Sequence, residues 1–117
     1  LLEKVAWITL LYDFYGQMLT EKQQHFFELY YEDDLSLGEI AEKFDVSRQA
    51  VHDSLKRAEQ MLVKYEEKLG LVKKFIEQRD KIVDAKILLD KFLKDRDDAK
   101  IEQVGRILSN IMEIVKK

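Results

Sequence analysis

Apolar residues recur every third or fourth position along most of this chain, the period of a helix with one packing face. Val5, Ile8, Leu11 or Tyr12, and Tyr15 keep that spacing, Trp7 and Phe14 widen the face, and Gly16 stands where the helix would stop, so a first helix is predicted over 4–15. Thr20 followed by Gln23 has the form of a capping box and opens a second helix carrying Phe26, Phe27, Leu29 and Tyr30. The stretch from Glu32 to Ser36 closes it, and Ser36 with Glu39 repeats the capping pattern ahead of "LGEIAEKF". Asp45 and Val46 then form a turn, with Asp45 where a left-handed residue is needed, a conformation Asp tolerates better than most. Ser47 is the N-cap expected for a long helix whose Val51, Leu55, Ala58, Leu62, Tyr65 and Leu69 step by four and three, with Gly70 as its C-cap or a kink.

Beyond Gly70, residues 71–94 read as another helix, rich in Leu, Ile and Phe. "KDRDDAK" is a polar turn in which Asp97 or Asp98 caps the next helix, where Ile101, Val104, Leu108, Ile111 and Val115 repeat the heptad step. Two apolar helices joined by so short a loop predict an antiparallel hairpin. The fold class is therefore all-α: a helix-turn-helix domain over 1–69, with its motif at about 37–57, and a helical extension over 70–117.

The 117 residues contain no proline and only four glycines, which favours long helices. There is no cysteine, so disulfides and thiolate metal sites are excluded, and a reducing cytoplasm is the expected setting. The longest apolar run, Val5 to Tyr12, falls far short of the ~20 residues that span a bilayer, and no signal-peptide pattern is visible, so no membrane insertion is expected. His25 and His52 lie in no metal-binding spacing, and no phosphate-cradling glycine loop or nucleophile elbow occurs. The acidic group Glu32, Asp33 and Asp34 lacks the spacing of a calcium loop and reads as a solvated helix end. Catalytic residues, metal ligands and cofactors are thus all expected to be absent, and the protein is not expected to be an enzyme.

Charge is unevenly placed. Residues 1–69 hold 8 Lys/Arg against 14 Asp/Glu, and residues 70–117 hold 12 against 9. The lysines and arginine of the second part (Lys73, Lys74, Arg79, Lys81, Lys86) interleave with Glu77, Asp80 and Asp84, as on a solvated helix face. The aromatic residues Trp7, Tyr12, Phe14, Tyr15, Phe26, Phe27, Tyr30 and Tyr31 are expected in the core, with Tyr31 the one surface exception.

In "EIAEKFDVSRQAVHDSLKRAEQML" the small Ala41 sits where two helices of a helix-turn-helix cross, ringed by Ile40, Phe44, Val46, Val51 and Leu55. If the second helix enters a major groove, Ser47, Arg48, Gln49, His52, Lys56 and Arg57 form the nucleic-acid-binding set. Arg suits guanine, Gln suits adenine, and Ser47, Lys56 and Arg57 suit phosphates. Asp53 is the awkward neighbour, since it repels phosphate.

The residues "LYDFYGQMLTEKQQ", "LYYEDDLSLGEIAEKFDVSRQAVHDSLKRAE" and "YEEKLGL" together resemble the YlxM family, small cytoplasmic bacterial proteins with a fold like region 4 of sigma factors. The resemblance covers about residues 8–72. It implies a regulatory protein encoded near signal recognition particle genes, binding duplex DNA or signal recognition particle RNA. Signal recognition particle proteins are the partners in the rival reading, a protein-interaction adaptor that keeps the helix-turn-helix only as a scaffold. The heptad stripes fit either internal packing or a homodimer.

Overall fold

The computed structural model describes residues 2–116, and side chains over 3–113. Among these residues it is built of six α-helices and one 3-10 turn, with no strand. The helices are α1 (Leu2–Tyr15), α2 (Glu21–Tyr31), α3 (Leu37–Phe44), α4 (Arg48–Leu69), α5 (Leu71–Asp95) and α6 (Asp98–Lys116), and the 3-10 turn covers Gly16–Met18. Residues cluster into two compact units, Leu1–Val72 and Lys73–Lys117.

Local chemistry sets the helix starts. Thr20 Oγ1 accepts from the Gln23 amide at 3.1 Å while Gln23 Oε1 accepts from the Thr20 amide at 3.0 Å. Ser36 and Glu39 make the same reciprocal pair. Ser47 Oγ accepts from the Ala50 amide at 3.0 Å, and Asp97 Oδ1 accepts from the Ala99 amide at 3.1 Å. Each satisfies a donor that a helix start leaves without an internal partner. The α3–α4 turn is made by Asp45 at φ +54°, with the Val46 amide reaching back to the Ala41 carbonyl at 3.0 Å. Gly70, at φ +62°, closes α4.

In the first unit α4 packs against α1, α2 and α3. Ile8, Leu11, Tyr15, Phe26, Phe27, Ile40, Val51, Leu55, Ala58 and Leu62 are buried together there. The first four members of the α4 stripe thus pack within the chain, while Leu69 is 47% exposed. Three aromatic expectations fail. Trp7 and Tyr30 are exposed, and Tyr31, expected at the surface, is half-buried. Val5, expected on the packing face of α1, is 40% exposed as well. Helix α1 does stop at Gly16, as expected. The chain runs on into the 3-10 turn, and a Cβ on Gly16 would meet the Tyr12 ring at 2.9 Å.

Three tyrosine hydroxyls tie the helices of this unit to one another. Tyr12 on α1 donates to Glu28 on α2 at 3.1 Å, Tyr15 on α1 donates to Glu66 on α4 at 2.6 Å, and Tyr31 on α2 donates to Glu59 on α4. The Tyr15 oxygen also accepts from the Leu71 amide at 3.1 Å, and Glu66 Oε1 accepts from the Val72 amide at 3.0 Å. The start of α5 follows a glycine and has no capping side chain of its own, so its first amides are satisfied from α1 and α4.

Burial first, and the carboxylate partner second, raise the hydroxyl pKa of all three tyrosines, Tyr12 to about 12. A raised pKa means the fold favours the neutral phenol. The associated stability is complete below the ordinary value of 10.0 and is lost as pH climbs through the folded values. Stability should therefore hold up to about pH 10 and fall above it. Tyrosinate absorbance from these three residues should appear together with loss of helical circular dichroism. Smooth titration of all the tyrosines near pH 10, with helicity intact, would contradict this account.

In the second unit α5 and α6 form a hairpin about a turn in which Arg96 takes φ +56°. Lys81 on α5 donates to Asn110 on α6, as an antiparallel pair requires. Ala85 and Val104 are its buried apolar residues, and Ile107 and Ile111 are half-covered. The expected α6 stripe is thus split: Ile101 and Leu108 are 36% and 49% exposed. Val115 lies outside the described side chains.

Candidate nucleic-acid interface

Helix α4 begins where the αL turn at Asp45 and the Ser47 cap release it, and its buried stripe (Val51, Leu55, Ala58) fixes which side faces the core. The opposite side of its first three turns carries the six expected residues. Ser47, Arg48, Gln49, His52, Lys56 and Arg57 are all exposed there. Arg48, His52 and Lys56 follow one another at steps of four along one row, and Gln49, Asp53 and Arg57 along the next.

Asp53 is the centre of this surface. Gln49 Nε2 donates to Asp53 Oδ1 at 2.9 Å, and His52 Nδ1 stands 3.4 Å from the same oxygen. The Gln49 hydrogen bond first, then the His52 one, hold the Asp53 carboxyl below the usual aspartate range. Arg57 Nε donates to the Asp53 backbone carbonyl at 3.4 Å. The carboxylate is thereby held in its charged form and still repels phosphate, but it orients the Gln49 amide with its oxygen still able to accept. A polar side chain held in this way loses less freedom on meeting a base edge.

Arg48 folds back over the first turn of α3. A Cβ built on Gly38 would come within 2.9 Å of Arg48 Nε and 3.1 Å of Cζ. Arg48 is a flexible side chain at an exposed position and can swing away, whereas the Tyr12 ring over Gly16 cannot. That ring stacks on Phe27 at 4.1 Å and is hydrogen-bonded to Glu28. Gly38→Ala should therefore stabilise the protein by up to about 1 kcal/mol, the helix-propensity gain. Gly16→Ala should cost about 1–3 kcal/mol through overpacking. Paired chemical denaturation curves check both signs.

Tertiary structure adds cations that sequence spacing did not single out. Lys4 of α1 lines a cavity of about 220 Å³ with Tyr30, Leu37, His52, Lys56 and Glu59. A groove of about 800 Å³ between α1, the 3-10 turn and α4 is floored by Ile8, Leu19, Met18 and Met61, and Lys4, Lys56, Arg57 and Lys64 line it with Glu59 and Glu67. Lys4 and Lys64 thus join Lys56 and Arg57 around one groove. Their only sequence signal was exposure of charge on a predicted helix.

Among the described residues no three His, Asp or Glu side chains gather to hold a metal ion, and no helix is long and apolar enough to cross a membrane.

Residues 2–104 match the family UPF0122, described as "Putative helix-turn-helix protein, YlxM / p13 like". The chain is 55% identical over 106 residues to a UPF0122 protein of Desulforamulus reducens, covering 91% of each. It is 45% identical over 117 residues to UPF0122 proteins of Bacillus cereus (strain AH187) and Bacillus anthracis (strain A0248), covering all of this chain and 98% of each of those.

Proposed function

Because the chain belongs to the UPF0122 family of YlxM / p13-like helix-turn-helix proteins, which is not an enzyme family, we propose that it is a regulatory protein of the bacterial cytoplasm that grips duplex DNA with the start of α4. Arg48 and Gln49 read base edges, His52 borders them, and Ser47, Lys56, Arg57 and the α4 N-terminus hold phosphates. One observation carries this reading: Arg48, Gln49, His52, Lys56 and Arg57 are all exposed on one side of the first three turns of α4, opposite its buried stripe. The family resemblance further suggests that the regulated process is that of the signal recognition particle.

Electrostatics limits the strength. Glu39, Glu42 and Asp45 flank the cations, and residues 1–69 are acidic overall. Duplex affinity grows with the number of phosphates neutralised, so binding should be weak at physiological salt and steeply salt-dependent. Engagement of phosphates by Lys56, Arg57, Lys4 and Lys64 would give a log–log slope of roughly −3 to −4. Titration of labelled duplex DNA and of signal recognition particle RNA across salt tests this. Saturable duplex binding with such a slope is the expected result. RNA binding alone would move the site to a different nucleic acid.

The acidic balance of residues 1–69 favours a second reading, an adaptor for protein partners of the same pathway. Silence of both probes would select it.

A further inference from the structure

The groove between α1, the 3-10 turn and α4 has a floor that nucleic acid does not explain. Ile8 and Leu19 are buried beneath it, while Met18, Met61 and Val63 line it 49%, 37% and 38% exposed. Phosphates and base edges are met by donors and cations. An open apolar floor with a polar rim calls instead for an apolar occupant. At about 800 Å³ the groove has the size of a binding cleft, and Met18 and Met61 are side chains that adapt to an incoming apolar group.

The rim is selected in charge. Residues 1–69 are acidic overall, yet four of their 8 Lys/Arg line this groove (Lys4, Lys56, Arg57 and Lys64), against only two of their 14 Asp/Glu, Glu59 and Glu67. Among the described residues Lys4, Lys56 and Lys64 form no ion pair, and Arg57 hydrogen-bonds a backbone carbonyl. Glu59 already accepts from the Tyr31 hydroxyl, and Glu67 is the last lining residue along α4. A rim of unneutralised cations thus surrounds an apolar floor in an otherwise negative unit, which selects an occupant that is both acidic and apolar.

We propose that this groove seats an acidic amphipathic helix of a partner protein, with its apolar stripe on Met18, Met61 and Val63 and its carboxylates on Lys4, Lys56 and Lys64. Two features favour a helix. Among the described residues there is no sheet edge on which an extended peptide could pair, so an incoming segment has to satisfy its own backbone. Along α4 the groove runs from Lys56 to Glu67, roughly 16 Å at 1.5 Å per residue, which is three helical turns. A seated helix covers Lys56 and Arg57, so it also shuts duplex DNA out of the start of α4. That exclusion rests on the proposed function, whereas the docking does not.

The probe is a labelled synthetic helix of about four turns, with Leu repeating at i, i+4 and i+7 and Glu on both flanks of that stripe. One control carries Lys for every Glu, the other Gln for every Leu. The full chain should bind the Glu/Leu peptide saturably at micromolar concentration and each control at least roughly 10-fold more weakly. Lys64→Glu should weaken the Glu/Leu peptide roughly 10-fold or more and strengthen the Lys peptide. Met61→Gln, which adds no charge, should weaken it as well. Both positions are exposed, so the helical spectrum should stay parental. No saturable binding, equal binding of the Lys peptide, or binding unmoved by both substitutions would overturn the proposal. Added to a complex with labelled duplex DNA, the Glu/Leu peptide should release the duplex, and a ternary complex would overturn the exclusion. A chain that binds the peptide but no duplex would contradict the proposed function alone.

Discussion

Arg48→Ala combined with Lys56→Ala is expected to weaken duplex DNA binding by roughly 10- to 100-fold while leaving the fold intact. The two residues lie eight apart on one row of α4, both exposed, and neither side chain contributes to the buried core. Substitutions at such positions shift stability by little. Their losses should differ in kind. Removing Lys56 deletes a phosphate contact, so affinity falls on every sequence and the salt slope shrinks by about one. Removing Arg48 deletes a base contact as well, so discrimination between sequences falls with it. Titrations of each single variant against two unrelated duplexes, at several salt concentrations, separate these effects. Unchanged binding by the double variant, with parental circular dichroism, would remove α4 from the interface.

Tyr15→Ala is expected to be the most damaging single change in the first unit, at about 3–5 kcal/mol, on the scale of an aromatic deleted from a core. The ring is wholly buried and packs beside Tyr65, with centroids 6.0 Å apart. Its hydroxyl joins α1 to Glu66 of α4 and to the first amide of α5. A loss of that size approaches the whole stability of many small domains, so the variant should be largely unfolded at physiological temperature. Tyr15→Phe isolates the hydroxyl. It keeps the ring but takes the Tyr15 oxygen from the Leu71 amide and one donor from Glu66, which keeps the Val72 amide, at about 1–3 kcal/mol. Thermal melts of the two variants should therefore be well separated, Phe above Ala and both below the parent. A Phe variant that melts with the parent would mean that the hydroxyl adds nothing net.

The parts of the fold that could be read along the chain are those governed by short-range chemistry. Thr20 with Gln23, Ser36 with Glu39, and Ser47 with Ala50 are contacts three residues apart, and Asp45 is a single-residue backbone demand. The tyrosine–glutamate pairs were hidden because their partners are 16, 28 and 51 residues apart. Trp7 and Tyr30 were misjudged because helical spacing tells which residues share a side, not how far the neighbouring helices reach across it. The same limit applies to α6. A heptad step is equally good inside a chain or between chains, so only burial separates Val104 from Ile101 and Leu108. At the candidate interface the spacing along α4 was readable. That Gln49 and His52 would close on Asp53, and that Lys4 and Lys64 would share a groove with Lys56 and Arg57, depended on rotamers and on the packing of α1.

The borrowed cap of α5 also sets an order on the polypeptide as it is made. Synthesis proceeds from the N-terminus, so the α1 residue Tyr15 emerges from the ribosome more than fifty residues ahead of Leu71 and Val72. A helix with its own Ser or Asp cap can start as soon as its first turn is released. The Tyr15 oxygen and the Glu66 carboxylate meet the first turn of α5 only once α1 and α4 have docked, and until then water serves its amides. The first turn of α5 thus takes its side-chain partners from residues made before it.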